Sequence, residues 1–429
     1  MAKLWQKKGM QGHPAVNNYI ISKNLDADTK LIKYDLLASM AHATMLGEVG
    51  LLSKQEAEDL VAGLQEIEGL LEKGEFELSR ENEDMHTAIE NYLTQKLGET
   101  GKRIHLGRSR NDQVLTALRL FTKDNLLQVK TEIKELAQVI LTFAKEYELL
   151  PMPGYTHTQR AMPSSIGQWA TAFVESLLDD LTVLDSAVHL VDQNPLGSAA
   201  GYGTGLPIDR EMTTKLLGFS RVQVNPIYCQ NSRGKIEAYV LSCLSQVMET
   251  LAKVANDTIW FSSKEFGFLE IDDSLTTGSS IMPQKKNLDI MEVVRANSTI
   301  LQSNQFQLQT VGKNLISGYH KDLKITKQTV INSLEITQDS LEIVKLLFTN
   351  MKPNQAKLQA VMDPEIFATD EVNKLAGQGM PFREAYKQIG ENLNKLQNQD
   401  PVENIKSKKH LGATANLGIN NLEKRLKEV

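Results

Sequence analysis

The chain reads as an all-α protein, and three observations point there. Proline, which breaks helices and strands alike, is absent between Pro14 and Pro151, between Pro226 and Pro283, and between Pro283 and Pro353. Inside the second gap, Val240, Leu244, Val247, Leu251, Val254, Thr258 and Phe261 step by 4-3-4-3-4-3, the seam spacing of bundle helices. No comparable alternation of apolar and polar residues marks out a multistranded sheet. At 429 residues the chain exceeds one typical core. Breaks near Arg108 and Pro353 divide it into three helical lobes: an N-terminal domain over 1–108, a central bundle of long helices over 109–352, and a C-terminal helical domain over 353–429.

Each lobe carries its own signals. In the first, Glu83-Asp84-Met85-His86-Thr87 places acidic residues at a helix start, where they favour the dipole; for Glu83 that accounts for the residue. Arg108 reads as part of a solvated basic turn leading into the helix marked by Val114, Leu118 and Phe121. In the second, a helix over 235–262 is roughly 40 Å long at about 1.5 Å per residue. Gly278 and Pro283 then define a loop, and the spacing of Ile290, Met291 and Val294 starts a helix just beyond Asn287. Val330, Leu334, Thr337, Leu341, Val344 and Phe348 repeat the bundle rhythm. The Met362-Asp363-Pro364 turn opens the third lobe, whose Lys-, Asn- and Glu-rich end, 403–429, is expected to be partly mobile. Val293/Val294 and Leu346/Leu347/Phe348 put apolar residues on more than one helix face. One chain does not bury them all, so a homo-oligomer is expected.

Composition excludes several function classes. A net charge of −6 without a dominant basic block argues against nucleic acid as a partner. Cys229 and Cys243 are the only cysteines, too few for a disulfide framework or a Cys-rich zinc site, and they read as reduced, buried thiols. No HExxH, EF-hand or paired-Cys pattern occurs, so no metal and no cofactor is expected. Gly201-Tyr202-Gly203-Thr204-Gly205 lies between Pro195 and Pro207 with no strand before it and no P-loop lysine after it, and reads as a turn. The N-terminal MAKLWQKKGMQGHPAVNN lacks an apolar signal core, and no run approaches the length of a membrane span. The expectation is a cytoplasmic protein acting on a small molecule, without a membrane.

The richest chemistry lies in GSSIMPQKKNLDIMEVVR, residues 278–295. Ser279 and Ser280 supply hydroxyls, Lys285 and Lys286 fixed positive charge, and Asn287 an oriented amide. That set suits a small, multiply anionic substrate, although serines before a helix more commonly serve as turn caps. The segment satisfies every fixed position of GSSxMPxKxN and so resembles the fumarase/aspartase superfamily, whose members release fumarate from a succinyl group. The Gln284-Lys285-Lys286-Asn287 version is similar to the argininosuccinate lyase family. GRSRNDQV at 107–114, PGYTHTQRAMP at 153–163 and GMPFREAY at 379–386 agree with it, so the likeness runs from about Leu31 to about Gly390.

The resemblance implies a homotetramer with a shared helical core, active sites drawn from three subunits, and cleavage of N-(L-arginino)succinate to L-arginine and fumarate without a cofactor. It makes Ser279 the general base, with Lys285 and Asn287 holding the aci-carboxylate that forms when a proton leaves the carbon beside a carboxylate. It gives His157 a catalytic role, with Glu292 orienting its ring. Ser109, Arg110 and Asn111 match a carboxylate-binding loop, and Thr156 a contact beside His157. Asp84 is matched to the amino-acid end of the substrate, and His86 to the site lining. Tyr319, Lys324 and Lys327 complete the binding set. The chain departs from the family pattern at Lys324 (commonly Gln), His320 (often Asn) and Leu288 (usually Pro), and the serine carried near residues 22–24 has no clear counterpart. Two rivals follow: a lyase for a different N-substituted aspartate, and a non-catalytic relative like the lens crystallins of this family.

Overall fold

A computed structural model describes residues 25–78, 82 and 84–429. The expectations for the N-terminal segment, for the serine near 22–24 and for Glu83 lie outside those residues. The described chain is dominated by helices: α1 Leu25–Glu48, α2 Lys54–Glu72, α3 Met85–Leu97, α4 Arg110–Glu146, α5 Ile166–Val191, α6 Lys235–Ser262, α7 Asp289–Val311, α8 Ile325–Thr349, α9 Ala368–Gly377 and α10 Phe382–Gly390, with further helical segments between and after them. The helix expected over 235–262 is α6, and α4 and α7 begin two residues after the expected Arg108 and Asn287 breaks. Sheet is confined, among the described residues, to two antiparallel pairs, β1 Pro151–Thr156 with β2 Gln159–Ser165 and β3 Leu269–Ile271 with β4 Met351–Pro353. The fold is all-α, as the proline gaps and the bundle spacing indicated.

The described residues form two compact units that do not follow sequence order: one from those within 25–128, with 185–242 and 302–335, the other from 129–184, 243–301 and 336–429. In the first, α1 packs on α2 and α3. Ser53 caps α2 and Glu56 returns the bond to the Ser53 backbone, a capping box that satisfies two otherwise orphaned donors. Leu31, Leu36, Leu60, Leu64, Met85 and Leu93 form the shared core. A Cβ on Gly101 would stand 2.2 Å from the carbonyl oxygen of Leu93, so only glycine lets the chain pass the end of α3.

The second unit is built on aromatic packing. Trp169 stacks on Phe348 with centroids 6.0 Å apart, Phe143 meets Phe348 edge-on, and Phe261, Phe266 and Phe268 extend the group, each contact adding to simple area burial. The Trp169 indole donates to Asp257 at 3.0 Å, which satisfies its N–H away from water. Residues 403–429, expected to be partly mobile, instead include helices at Pro401–Ser407 and Ile419–Glu428. Lys145 pairs with Glu423 and Arg425 with Asp179, and Leu417 and Leu422 are buried; these few apolar residues anchor a segment whose composition is otherwise polar. Both cysteines are buried, and neither is in a disulfide.

Several large apolar side chains remain at the surface of a single chain. Trp260 is 58% exposed, Val293 57% and Phe306 66%. In each helix the neighbouring seam residues, such as Val294 and Leu308, are buried. These helices are therefore apolar on a second face, beyond what their own chain covers.

Candidate active site

A cleft in the first unit gathers residues that lie far apart in sequence. It is lined by Asp28 of α1, Asp84 and His86 at the start of α3, Arg110 and Asn111 at the start of α4, Arg233 before α6, and Tyr319, Lys324 and Lys327 around the start of α8. Asp84 is the cap of α3: it accepts from the Thr87 backbone N–H at 2.9 Å and hydroxyl at 2.8 Å, and lies 3.3 Å from the Arg110 guanidinium. Burial pushes its carboxyl up, but His86, Arg110 and the two Thr87 bonds outweigh that, and the net shift is downward. Arg110 also donates to the Thr87 hydroxyl at 2.9 Å, so one turn of α3 fixes a guanidinium at the cleft wall. Lys327 is buried and paired with Asp28. Arg233 donates to the Asn111 carbonyl and covers the Tyr319 ring at 5.0 Å, a cation–π contact that sets the ring's face. Lys324 is half-buried in the same lining.

Beneath the cleft the GRSRND turn is built from inside. Ser109 donates its backbone N–H to Asp112 at 2.8 Å. Arg108, expected as a solvated turn residue, is buried: it donates to the Ser39 hydroxyl at 2.9 Å and to the Ile104 carbonyl at 2.8 Å. Burial lowers its pKa, opposed by Asp35, Asp112 and Glu90. The turn reading failed because those carboxylates, from elsewhere in the chain, make burial of the guanidinium tolerable.

The other expected site residues belong to the second unit, on two loops and the first turn of α7. His157 and Thr158 form the tip of the β1–β2 hairpin with φ of 51° and 62°. Two successive left-handed residues make the type I′ geometry that suits hairpin twist, here without glycine and therefore at an energetic cost. Thr156 and His157 are exposed. The hairpin is tied back by Arg160, which donates to the Val361 carbonyl and pairs with Asp363 at 2.6 Å.

The second loop is closed at its base by Thr277 and Asn287, which exchange backbone hydrogen bonds at 3.0 and 2.8 Å. Within it, Ser279 Oγ accepts from the backbone N–H of Met282 at 3.2 Å and of Ile281 at 3.4 Å. Those donors are what a serine oxygen needs if it is to carry negative charge. Lys286 is held by Asp273. Lys285 is exposed, and among the described residues of one chain it has no ion pair. The Asn287 amide leans on the Gly278 carbonyl at 3.5 Å. Glu292 is exposed in the first turn of α7, and within one chain no hydrogen bond or ion pair among the described residues joins it to His157.

Known proteins place these motifs. The sequence profile of a family described as Lyase matches residues 14–301. The argininosuccinate lyase of Thermotoga neapolitana is 44% identical over 389 residues, 91% of this chain and 98% of that protein. That of Phocaeicola vulgatus is 42% identical over 429 residues, 100% of this chain and 95% of that protein. The chain belongs to the argininosuccinate lyase family. It is thus a member of a family of carbon–nitrogen lyases, and the resemblance read from residues 278–295 holds along its whole length. The crystal structure of EDDS lyase in complex with formate superposes with a TM-score of 0.80 at 22% identity, covering 97% of this chain and 91% of that one; the described residues therefore share its fold.

Sequence reasoning missed four members of the cleft and its floor: Asp28, Asp35, Asp112 and Arg233. For two of them a signal was present. Asp28 and Asp35 are seven residues apart, on one face of α1, and that face also carries Leu31 and Ile32. A carboxylate recurring on an apolar stripe is out of place unless it has a partner.

Proposed function

We propose that the protein is an argininosuccinate lyase that converts N-(L-arginino)succinate reversibly to L-arginine and fumarate by anti β-elimination, in arginine biosynthesis. The observation that carries the reading is near full-length identity above 40% to argininosuccinate lyases together with the GSSxMPxKxN loop. The cleft agrees with it: Arg110, Arg233, Lys324 and Lys327 surround Asp28 and Asp84, an excess of cations suited to a substrate with three carboxylates.

In this reading Ser279 takes the carbon-bound proton, its oxygen supported by the Ile281 and Met282 N–H groups. Lys285 and Asn287 then hold the charge that spreads into the adjacent carboxylate. His157, oriented by Glu292, serves the departing guanidinium nitrogen, with Thr156 beside it. Ser109, Arg110, Asn111, Tyr319, Lys324 and Lys327 bind substrate, with Asp84 at its amino-acid end and His86 in the lining. A cytoplasmic homotetramer, with each site shared by three subunits, completes the proposal. The exposed Trp260, Val293 and Phe306 support such an assembly, because patches of that kind are normally covered. The division into lobes at 108 and 352 belongs to the same proposal.

The test is direct. Purified protein is mixed with argininosuccinate, and the ultraviolet absorbance of fumarate is followed while arginine is assayed in the same reaction. Equimolar release of both is expected. A folded oligomer that releases neither, and instead cleaves another N-substituted aspartate, overturns the assignment.

Lys324 gives a second test, since it replaces the glutamine common in the family. Its ammonium adds to the positive potential of the cleft, so Lys324→Gln is expected to raise the KM for argininosuccinate about fivefold with kcat nearly unchanged, equivalent to about 1 kcal/mol for a partly exposed charge. The effect shrinks at high salt. Steady-state kinetics at two ionic strengths checks this; an unchanged KM removes the side chain from substrate contact.

A further inference from the structure

His86 lines the cleft, and directly behind it lies a carboxylate that no motif singled out. Asp35, in the middle of α1, is fully buried, and its Oδ2 is 2.8 Å from His86 Nδ1. Its other oxygen, Oδ1, has no hydrogen-bond partner. A buried carboxylate with half its acceptor capacity unused is costly, and α1 would bury an apolar residue there more cheaply. The ion pair to His86 is what compensates it. With Nδ1 committed to Asp35, Nε2 is the atom His86 can offer to the cleft.

We infer that Asp35 is a positioning residue for substrate binding: it holds the His86 ring as an imidazolium whose Nε2–H is available to a substrate carboxylate in the cleft. The inference rests on the lyase reading only for the identity of that carboxylate. The arrangement differs from that of Arg110 or Lys327 in one respect, because the charge on His86 can be lost within the ordinary pH range.

The groups around the ring favour the charged form. Burial alone lowers its pKa, but Asp35, then Asp84 at the cap of its own helix and Asp28 on α1, more than offset this, and the net shift is upward. Opposing cations are already occupied: Lys327 pairs with Asp28, Arg110 with Asp84, and Arg108 is bonded to Ser39. His105, which faces the same cluster, is pushed down to about 4 by burial and then by Arg108, Arg110 and His86, so it stays neutral. The sign follows. The imidazolium is present below the raised pKa and is lost as pH rises through it, and substrate binding weakens in step.

The test has an arm that does not depend on the substrate. Histidine ring carbons and nitrogens are labelled in the full-length oligomer, the His86 signal is assigned by its loss in His86→Asn, and the ring is titrated by NMR. An apparent pKa above the ordinary histidine range is expected, falling in Asp35→Asn, whose amide oxygen still accepts from Nδ1–H but carries no charge. A wild-type ring that titrates at or below the ordinary range overturns the inference even if no variant folds. In the kinetic arm, Asp35→Asn is expected to raise the KM for argininosuccinate about tenfold where the wild-type ring is charged and the variant ring is not, with kcat within about threefold, and the gap in KM narrows as pH is lowered and the variant ring also gains its proton. A loss confined to kcat, or a KM change independent of pH, would mark Asp35 as merely structural. Absence of fumarate release by the wild type would defeat the lyase reading and leave the NMR result standing.

Discussion

Ser279→Ala is expected to lower kcat for argininosuccinate by roughly 10²–10⁴-fold, the range for loss of a general base, while KM stays within about threefold and the oligomer stays intact. The structure explains why the fold should survive. The loop is closed by the Thr277–Asn287 backbone pair, and Thr277 Oγ1 donates to Asp289 at 2.8 Å; neither bond involves the serine side chain. What the variant removes is the oxygen that accepts from Met282 and Ile281. Both bonds are long for N–H···O contacts and contribute little to stability. They matter once the oxygen is charged, because a charge-assisted bond is shorter and about twice as strong. Stopped assays for fumarate, with binding measured separately by calorimetry, separate the two effects. Retained turnover would exclude Ser279 as the base, and a matched loss of binding would make it a substrate ligand.

The helical framework was legible in the sequence because its causes are local or periodic. The absence of proline and the 4-3 apolar spacing located α6, and the glycine and proline around 278–283 located the loop before α7. The motif residues of the cleft were legible only through the resemblance; Asp84, His86 and Arg110 have no spacing that would pair them. Three details escaped for a physical reason. Arg108 is buried because Asp35 and Asp112 lie near it; His86 is paired with Asp35 of α1, roughly fifty positions earlier; and the 403–429 tail is docked by a few apolar residues and by partners at Lys145 and Asp179. Each depends on residues distant in sequence, and no local pattern reports such neighbours. The two-residue turn at His157 and Thr158 escaped differently. Turn chemistry favours glycine or asparagine at left-handed positions, so histidine and threonine there do not advertise a hairpin.

The largest stability effect is expected at Asp112, the one acidic residue of the GRSRND motif and one to which the resemblance assigned no role. Its side chain is fully buried. One oxygen accepts from the Ser109 N–H at 2.8 Å, and the other from Gly197 and Ala199 at 3.0 and 2.9 Å. Burial pushes the carboxyl up to about 6, although the three N–H groups and Arg108 pull it down. One side chain thus joins the turn that carries Ser109, Arg110 and Asn111 to a loop in which Gly197 and Ala199 have φ of 83° and 52°. Alanine rarely adopts that conformation, and its N–H bond to Asp112 helps to hold it there. Asp112→Asn keeps the shape but replaces one acceptor oxygen with an NH2 group, which then faces a backbone N–H whichever way the amide is turned. With a buried donor left unpaired at about 1–3 kcal/mol and the Ala199 strain unsupported, the variant is expected to lose roughly 2–4 kcal/mol. Urea denaturation at matched protein concentration measures this. Because the same turn presents Arg110 and Asn111 to the cleft, KM for argininosuccinate should rise at least tenfold in whatever fraction remains folded. A variant with unchanged denaturation midpoint and unchanged KM would show that turn and loop keep their shape without the carboxylate, and the binding geometry would then have to be attributed to the Arg110–Asp84 and Arg233–Asn111 contacts alone.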